Sequence, residues 1–182
     1  SFFFILGIPR IVQDDDMVRL LPDDLPSIKT FADITDEFGN YEFMYVAVGN
    51  EGRNIFSPDF LQIAWNISKE LEDLKECEEI ISISTMNKMY YDLSDSSIVV
   101  DDLVTKARLN NNEIDEIKKY LDDNETIRSR IISNNDDYIN IIVRPKDNHD
   151  YAFLASKIKE IASKNRFDNN GKELEFHFGG QA

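Results

Sequence analysis

Tyr41-Glu42-Phe43-Met44-Tyr45-Val46-Ala47-Val48 is flanked by Gly39-Asn40 on one side and Gly49-Asn50 on the other. Aromatic and β-branched residues between two turn pairs predict a strand. Alternation puts Phe43, Tyr45 and Ala47 on one side of it and Met44, Val46 and Val48 on the other. Both sides are apolar, so the strand is expected to be buried on both faces over much of its length. A sheet of that kind needs helices on one face and a cover or partner on the other. The N-terminal segment is one candidate cover.

Working outward, Ser57-Pro58-Asp59 predicts a helix start: Ser as the cap, Pro in the first turn and a carboxylate beside it. Phe60, Ala64, Ile67, Leu71 and Leu74 follow on one stripe. Ile80 to Ser84 alternates, with Ile81 and Ile83 on the buried side of a second strand. Cys77 is expected as a half-buried thiol at the helix end.

Ser94 to Ser97 reads as a loop, Val99 to Leu109 as a helix, and Asn110-Asn111-Asn112 as a break. Asn112 is expected to cap a helix carrying Ile114, Ile117, Tyr120 and Leu121, and Asn124 a shorter one through Ile127 and Ile131.

Ser133 to Asp137 is a turn and Tyr138 to Val143 a third strand, closed by Pro145. His149 or Asp150 begins a helix with Tyr151, Leu154, Ile158 and Ile161 on one face. Asp168-Asn169-Asn170-Gly171 turns the chain. Leu174, Phe176 and Phe178 then alternate with Glu173, Glu175 and His177 in a last strand, with His177 facing away from the helices. The other aromatics, including Trp65 and Phe153, are expected to be mostly core.

The order is strand, helix, strand, insertion, strand, helix, strand. It predicts an α+β, ferredoxin-like split βαβ antiparallel sheet with helices on one face and a helical insertion at about 86–133. The expected layout is an N-terminal segment over 1–40 and this domain over 41–182. Within 1–40, Pro26 opens a short helix carrying Ile28, Phe31, Thr35 and Phe38.

Net charge is −15 over 182 residues, with Lys and Arg scattered. That balance argues against nucleic acid and against an anionic membrane surface as partners. One cysteine makes neither an internal disulfide nor a paired zinc clip.

Candidate chemistry is thin. Asp14-Asp15-Asp16 lacks the spaced oxygens and Gly turn of a calcium loop and reads as a solvated acidic linker. Asn134 to Asp137 reads the same way, as a turn. His149 and His177 have no second His or Cys at metal-ligand spacing. Gly49-Asn50-Glu51-Gly52 is a turn, not a phosphate cradle. Arg53, beside Glu51 and Asp59, is the sole candidate for the phosphate arginine of an acyl-phosphate hydrolase, and those acids weaken it. No catalytic, cofactor-binding or metal residue is assigned.

Several stretches together resemble the resistance–nodulation–division (RND) exporters, in the mycobacterial membrane protein large (MMPL) and Patched-like branch. Leu21-Pro22-Asp23-Asp24-Leu25-Pro26 through Phe38-Gly39 is similar to the segment after that family's first membrane helix. Ile55 to Leu61 is similar to the opening of its porter helix, and Glu79 to Ser84 to the strand that follows. Ile127 to Ser133 and Ile139 to Val143 resemble its turn and next strand. There Arg130 and Asn135-Asp136 stand where Gly and Asp-Gly are common. Phe178 to Ala182 is similar to the exit into the next membrane helix.

The resemblance implies an extracytoplasmic porter domain of a proton-driven cell-membrane transporter. Its cargo would be lipids or other hydrophobic or amphiphilic compounds, and it would not be an enzyme. Its partners would be the remaining membrane and second loop domains of the same transporter. Ser1 to Ile8 would be the end of a membrane helix. The alternative is a soluble ferredoxin-like ligand-sensing or binding domain.

Overall fold

The computed structural model describes residues 43–180, apart from 148 and 149. The chain divides between Tyr41 and Glu42, and the expectations for Asp14–Asp16 and for the helix after Pro26 lie outside the described residues.

Strand β1 (Met44–Gly49) leads to helix α1 (Pro58–Glu72) and strand β2 (Cys77–Ile81). A hairpin follows, β3 (Asn87–Asp92) and β4 (Ser97–Asp102), then helices α2 (Asn111–Asp122) and α3 (Glu125–Ile131). Strand β5 (Tyr138–Pro145), helix α4 (Tyr151–Lys164) and strand β6 (Glu175–Gly180) complete the described chain. β2, β5, β1 and β6 form one sheet in that order, with β5 antiparallel to β1 and β2 and β6 antiparallel to β1. That is the ferredoxin-like α+β arrangement, with the segment between β2 and β5 inserted into it.

Register decides which side chains meet the helices. Val46 stands opposite Ile141 and Phe178, Val48 opposite Ile139 and Phe176, and Met44 opposite Val143. Val46, Val48, Ile139, Ile141 and Val143 are essentially fully buried, as are Phe60, Ala64, Ile67 and Leu71 on α1 and Leu154 on α4. Every second residue of β5 is buried, the pattern of a strand covered on one face. Ser57 caps α1 by accepting from the Phe60 N–H, and Asp150 caps α4 by accepting from the Phe153 N–H.

Four local expectations are corrected. The first concerns the second strand, which ends at Ile81, so that Ile80 rather than Ile81 lies on the helix side, opposite Val143. Beyond it, hydroxyls compete for the backbone. Thr85 Oγ1 donates to the Ile80 carbonyl at 2.7 Å and accepts from the Ser82 N–H at 2.9 Å. Ser82 Oγ lies 2.8 Å from Ser68 Oγ of α1, and both serines are fully buried. This capped turn still buries Ile83.

The second concerns Cys77, which opens β2 instead of ending α1 and is buried.

The third is that Val99 to Leu109 is not a helix: Ser97–Asp102 is a strand paired with Asn87–Asp92. The run Ile98-Val99-Val100 is β-branched throughout and stiff at χ1, which favours the pleated strand. The insertion is therefore a hairpin followed by two helices.

The fourth concerns the cap of α2, which is Asn110 and not Asn112. Asn110 accepts from the Glu113 N–H, and the Glu113 carboxylate accepts from the Asn110 N–H in return. Asn124 precedes α3 without a side-chain cap.

Candidate functional site

The edge of the sheet at β6 carries an open concavity. Edge strand β6 and helix α4 do not close over one another, and a groove of about 750 Å3 runs between them. Ala162, Leu174, Phe176 and Phe178 supply its apolar lining, and Lys159, Ser163, Arg166 and Glu173 are among its polar neighbours.

The alternation read from the sequence explains the floor. Phe176 and Phe178 point to the helix side of β6, and their rings lie nearly parallel with centroids 6.5 Å apart. Leu174 is buried at the root, Phe176 is half-buried, and Phe178 is 45% exposed at the open end. Arg166 Nε donates to Glu173 at 2.7 Å, and Asn50 Nδ2 donates to the Glu173 carbonyl at 3.2 Å. The rim is thus held by hydrogen bonds while the floor stays open.

Across the sheet, the face away from the helices is mixed. Tyr45, Ile142 and Ile81 form one apolar row, flanked by Ala47, Asn140 and His177 in the next. His177 faces away from the helices and packs edge-on to Tyr138, with centroids 5.3 Å apart. Tyr138 donates to Glu175 at 2.6 Å, and that hydrogen bond, with some desolvation, pushes its phenol up to about 12. Arg144 lies 3.2 Å from Glu79 at the far edge. β1 is therefore buried on its helix face only, and Tyr45 is exposed.

The aromatic set divides likewise. Phe60 is core and Trp65 and Phe176 pack against the core, whereas Tyr45, Phe153 and Phe178 are exposed.

Arg53 is committed elsewhere than to an anion site. Its guanidinium donates to Asp168 at 2.8 Å and lies 4.8 Å from the centre of the Phe60 ring. Asp59 accepts from the side chains of Asn169 and Asn170, next to the Asp168 that Arg53 binds. In the turn 133–137, Asp136 pairs with Lys118 at 3.0 Å and with Arg128, while Ser133 donates to Asp137 at 2.6 Å. Asp136 thereby ties both insertion helices to the turn before β5, and Asp137 closes that turn.

Among the described residues no cluster of three His, Cys, Asp or Glu side chains converges as a metal-ligand set. None of their helices is long and apolar enough to cross a membrane. His149 lies outside the described residues. The groove is not visible as a sequence motif; the exposed Phe178 two residues after Phe176 on an edge strand is its one local signal. No protein-family model and no curated protein matches this chain.

Proposed function

We propose that this domain is the extracytoplasmic porter domain of an RND-type exporter and that the groove between β6 and α4 is its contact surface for lipids or other amphiphiles. The observation that carries this reading is the groove's construction: an aromatic floor of Phe176 and Phe178 beside a polar rim of Lys159, Ser163 and the Arg166–Glu173 pair. A hydrophobic chain suits the floor, and a polar head suits the rim. An open groove with one exposed aromatic fits a cargo that passes along it. The order of the sequence motifs supports the same family.

Expressing the complete native gene product tests the proposal. A membrane-embedded product is expected, with apolar spans of about 20 residues flanking this segment. A membrane-impermeant label should reach this domain from outside the cell. A soluble product without such spans would sink the exporter reading.

The second reading, a ligand-sensing domain, draws on the same groove, because about 750 Å3 lies within the usual size of a small-molecule site. Saturable binding of one small ligand by a soluble native product would favour it.

A further inference from the structure

The groove beside β6 is lined by six consecutive residues, Glu173 to Phe178. Side chains alternate along a strand: Phe176 and Phe178 point to the helix side, Glu175 and His177 away from it. A concavity on one face would meet every second residue. One that meets all of them runs along the edge, where the strand presents its backbone.

That edge has a direction and a stop. Leu174 donates its N–H outward to the Arg166 carbonyl at 2.8 Å, while the Glu173 carbonyl faces the β1 side and accepts from Asn50. Peptide groups alternate between the two sides of a strand, so Phe176 and Phe178 turn their N–H and C=O groups outward as Leu174 does. The segment 166–168 takes the edge as far as Leu174. From Glu175 onward no other described strand pairs with its outer side.

The two edges of the sheet differ. β2 has a register shift between Cys77 and Glu79, and Arg144 draws both Glu78 and Glu79 alongside it. Such irregularity and charge discourage a further strand. β6 pairs with β1 in unbroken register from Glu175 to Gly180 and contains neither lysine nor proline.

A row of outward N–H and C=O groups is matched in full by another extended backbone, so the edge specifies the form of its occupant. On the helix side Phe176, Phe178 and Ala162 favour apolar side chains at alternate positions. Lys157 and Lys164 pair with Glu160, and Arg166 with Glu173, which leaves Lys159 as the lining cation without an ion pair among the described residues. An acidic side chain complements it.

We propose that β6 takes up an extended segment of another polypeptide as a further strand, with alternate apolar residues toward Phe176 and Phe178 and an acidic residue near Lys159. Main-chain hydrogen bonds supply the affinity and the groove selects the side chains. The inference uses the groove's geometry and holds whether or not amphiphiles enter it. Strand and amphiphile would exclude one another there.

The test uses the full chain and an octapeptide of alternating valine and threonine carrying one glutamate. N-methylation of every second residue leaves the peptide one pairing edge, and this form is expected to bind. N-methylation of every residue keeps the side chains, removes every N–H and should abolish binding. Lysine in place of the glutamate should weaken it. In the free chain the Phe176 and Phe178 amides are expected to exchange faster than those of Ile139 and Ile141 in β5, and to slow on binding. Phe178→Val keeps the outward N–H, and Phe178→Pro removes it at an edge position, where proline is tolerated. Proline should weaken binding about fivefold more than valine, the loss of one hydrogen bond.

Equal binding of the two N-methylated peptides, or binding of neither, overturns the proposal; equal binding reports apolar adhesion without strand pairing. Equal binding of the glutamate and lysine peptides overturns the acidic partner. Phe176 and Phe178 amides already slow in the free chain would overturn it too, and would assign the edge to another part of this chain or to a second copy.

Discussion

Arg53 and Asp168 meet at 2.8 Å across 115 residues of sequence, joining the loop after β1 to the turn before β6. Asp168 also accepts from the backbone N–H groups of Asn170 and Lys172, at 2.9 and 2.8 Å. Its side chain is buried and that of Arg53 is partly exposed. The pair clamps together the two loops at one end of the sheet, next to the groove residue Asn50.

The clamp has a pH signature. The Arg53 guanidinium, then the backbone donors, hold the Asp168 carboxyl below its ordinary value. A depressed carboxylate stabilises the fold above its unfolded pKa, about 3.9 for aspartate, and that contribution is lost as pH falls through the lower folded value. Asp168→Asn keeps an acceptor for the backbone donors and removes the charge. The variant is expected to be less stable than wild type at pH 7, with the difference closing below about pH 4. Denaturant midpoints measured for both from pH 7 to pH 2.5 check this. A constant difference across that range would mean that the charge of Asp168 contributes nothing.

Cys77 gives a probe of local opening. Burial at the start of β2, reinforced by the nearby Glu76 and opposed by Lys146, pushes its thiol up to about 11. The thiolate is the reactive form, so at pH 8 Cys77 is expected to resist a maleimide in the folded chain and to react promptly in denaturant. As the one cysteine of the chain, it gives an unambiguous readout by mass. Prompt labelling of the folded chain would show that the β2 end of the sheet opens readily.

Gly49 is held by close approach. A Cβ built there would lie 1.9 Å from the Asp137 carbonyl oxygen and 2.8 Å from Tyr138 Cα, both backbone atoms. Backbone cannot swing aside as a flexible side chain does, so Gly49→Ala must part β1 from the start of β5. The expected cost is about 1–3 kcal/mol or more, as for overpacking in a dense interior. A denaturant midpoint equal to that of wild type would mean that the strand ends separate without cost.

Much of the fold is legible where side chain and backbone argue for the same state. Ser57-Pro58-Asp59 starts α1 because cap, ring and carboxylate all serve the same helix end. Tyr138 to Val143 alternates because β5 lies centrally with one covered face. Legibility fails where tertiary pairing decides. Val99 to Leu109 contains enough apolar residues to read as a helix, and only the partner strand at 87–92 makes its first part a ribbon. Ile80 and Ile81 lie on the faces opposite to those expected because the strand stops at Ile81, three residues before Ser84, and Ile83 is buried from a hydroxyl-capped turn instead of from the strand. The groove arises from a gap between β6 and α4, a spacing that no local pattern encodes.

That gap can be separated from the core by substitution at its rim. Phe178 is 45% exposed, so Phe178→Ser gives up only part of a ring's burial and is expected to cost about 1–2 kcal/mol. Leu174, buried at the root of the same groove, is different: Leu174→Ala should cost about 2–5 kcal/mol. If the groove is a path for amphiphiles, Phe178→Ser should lower uptake of a fluorescent lysophospholipid by the full chain more than the costlier Leu174→Ala does, both measured well below their melting transitions. Equal uptake by Phe178→Ser and wild type would remove the aromatic floor from the binding surface. Loss of uptake that follows loss of stability across the two variants would show that Phe178 acts through packing, so the discriminating result is the greater loss of uptake in the more stable variant.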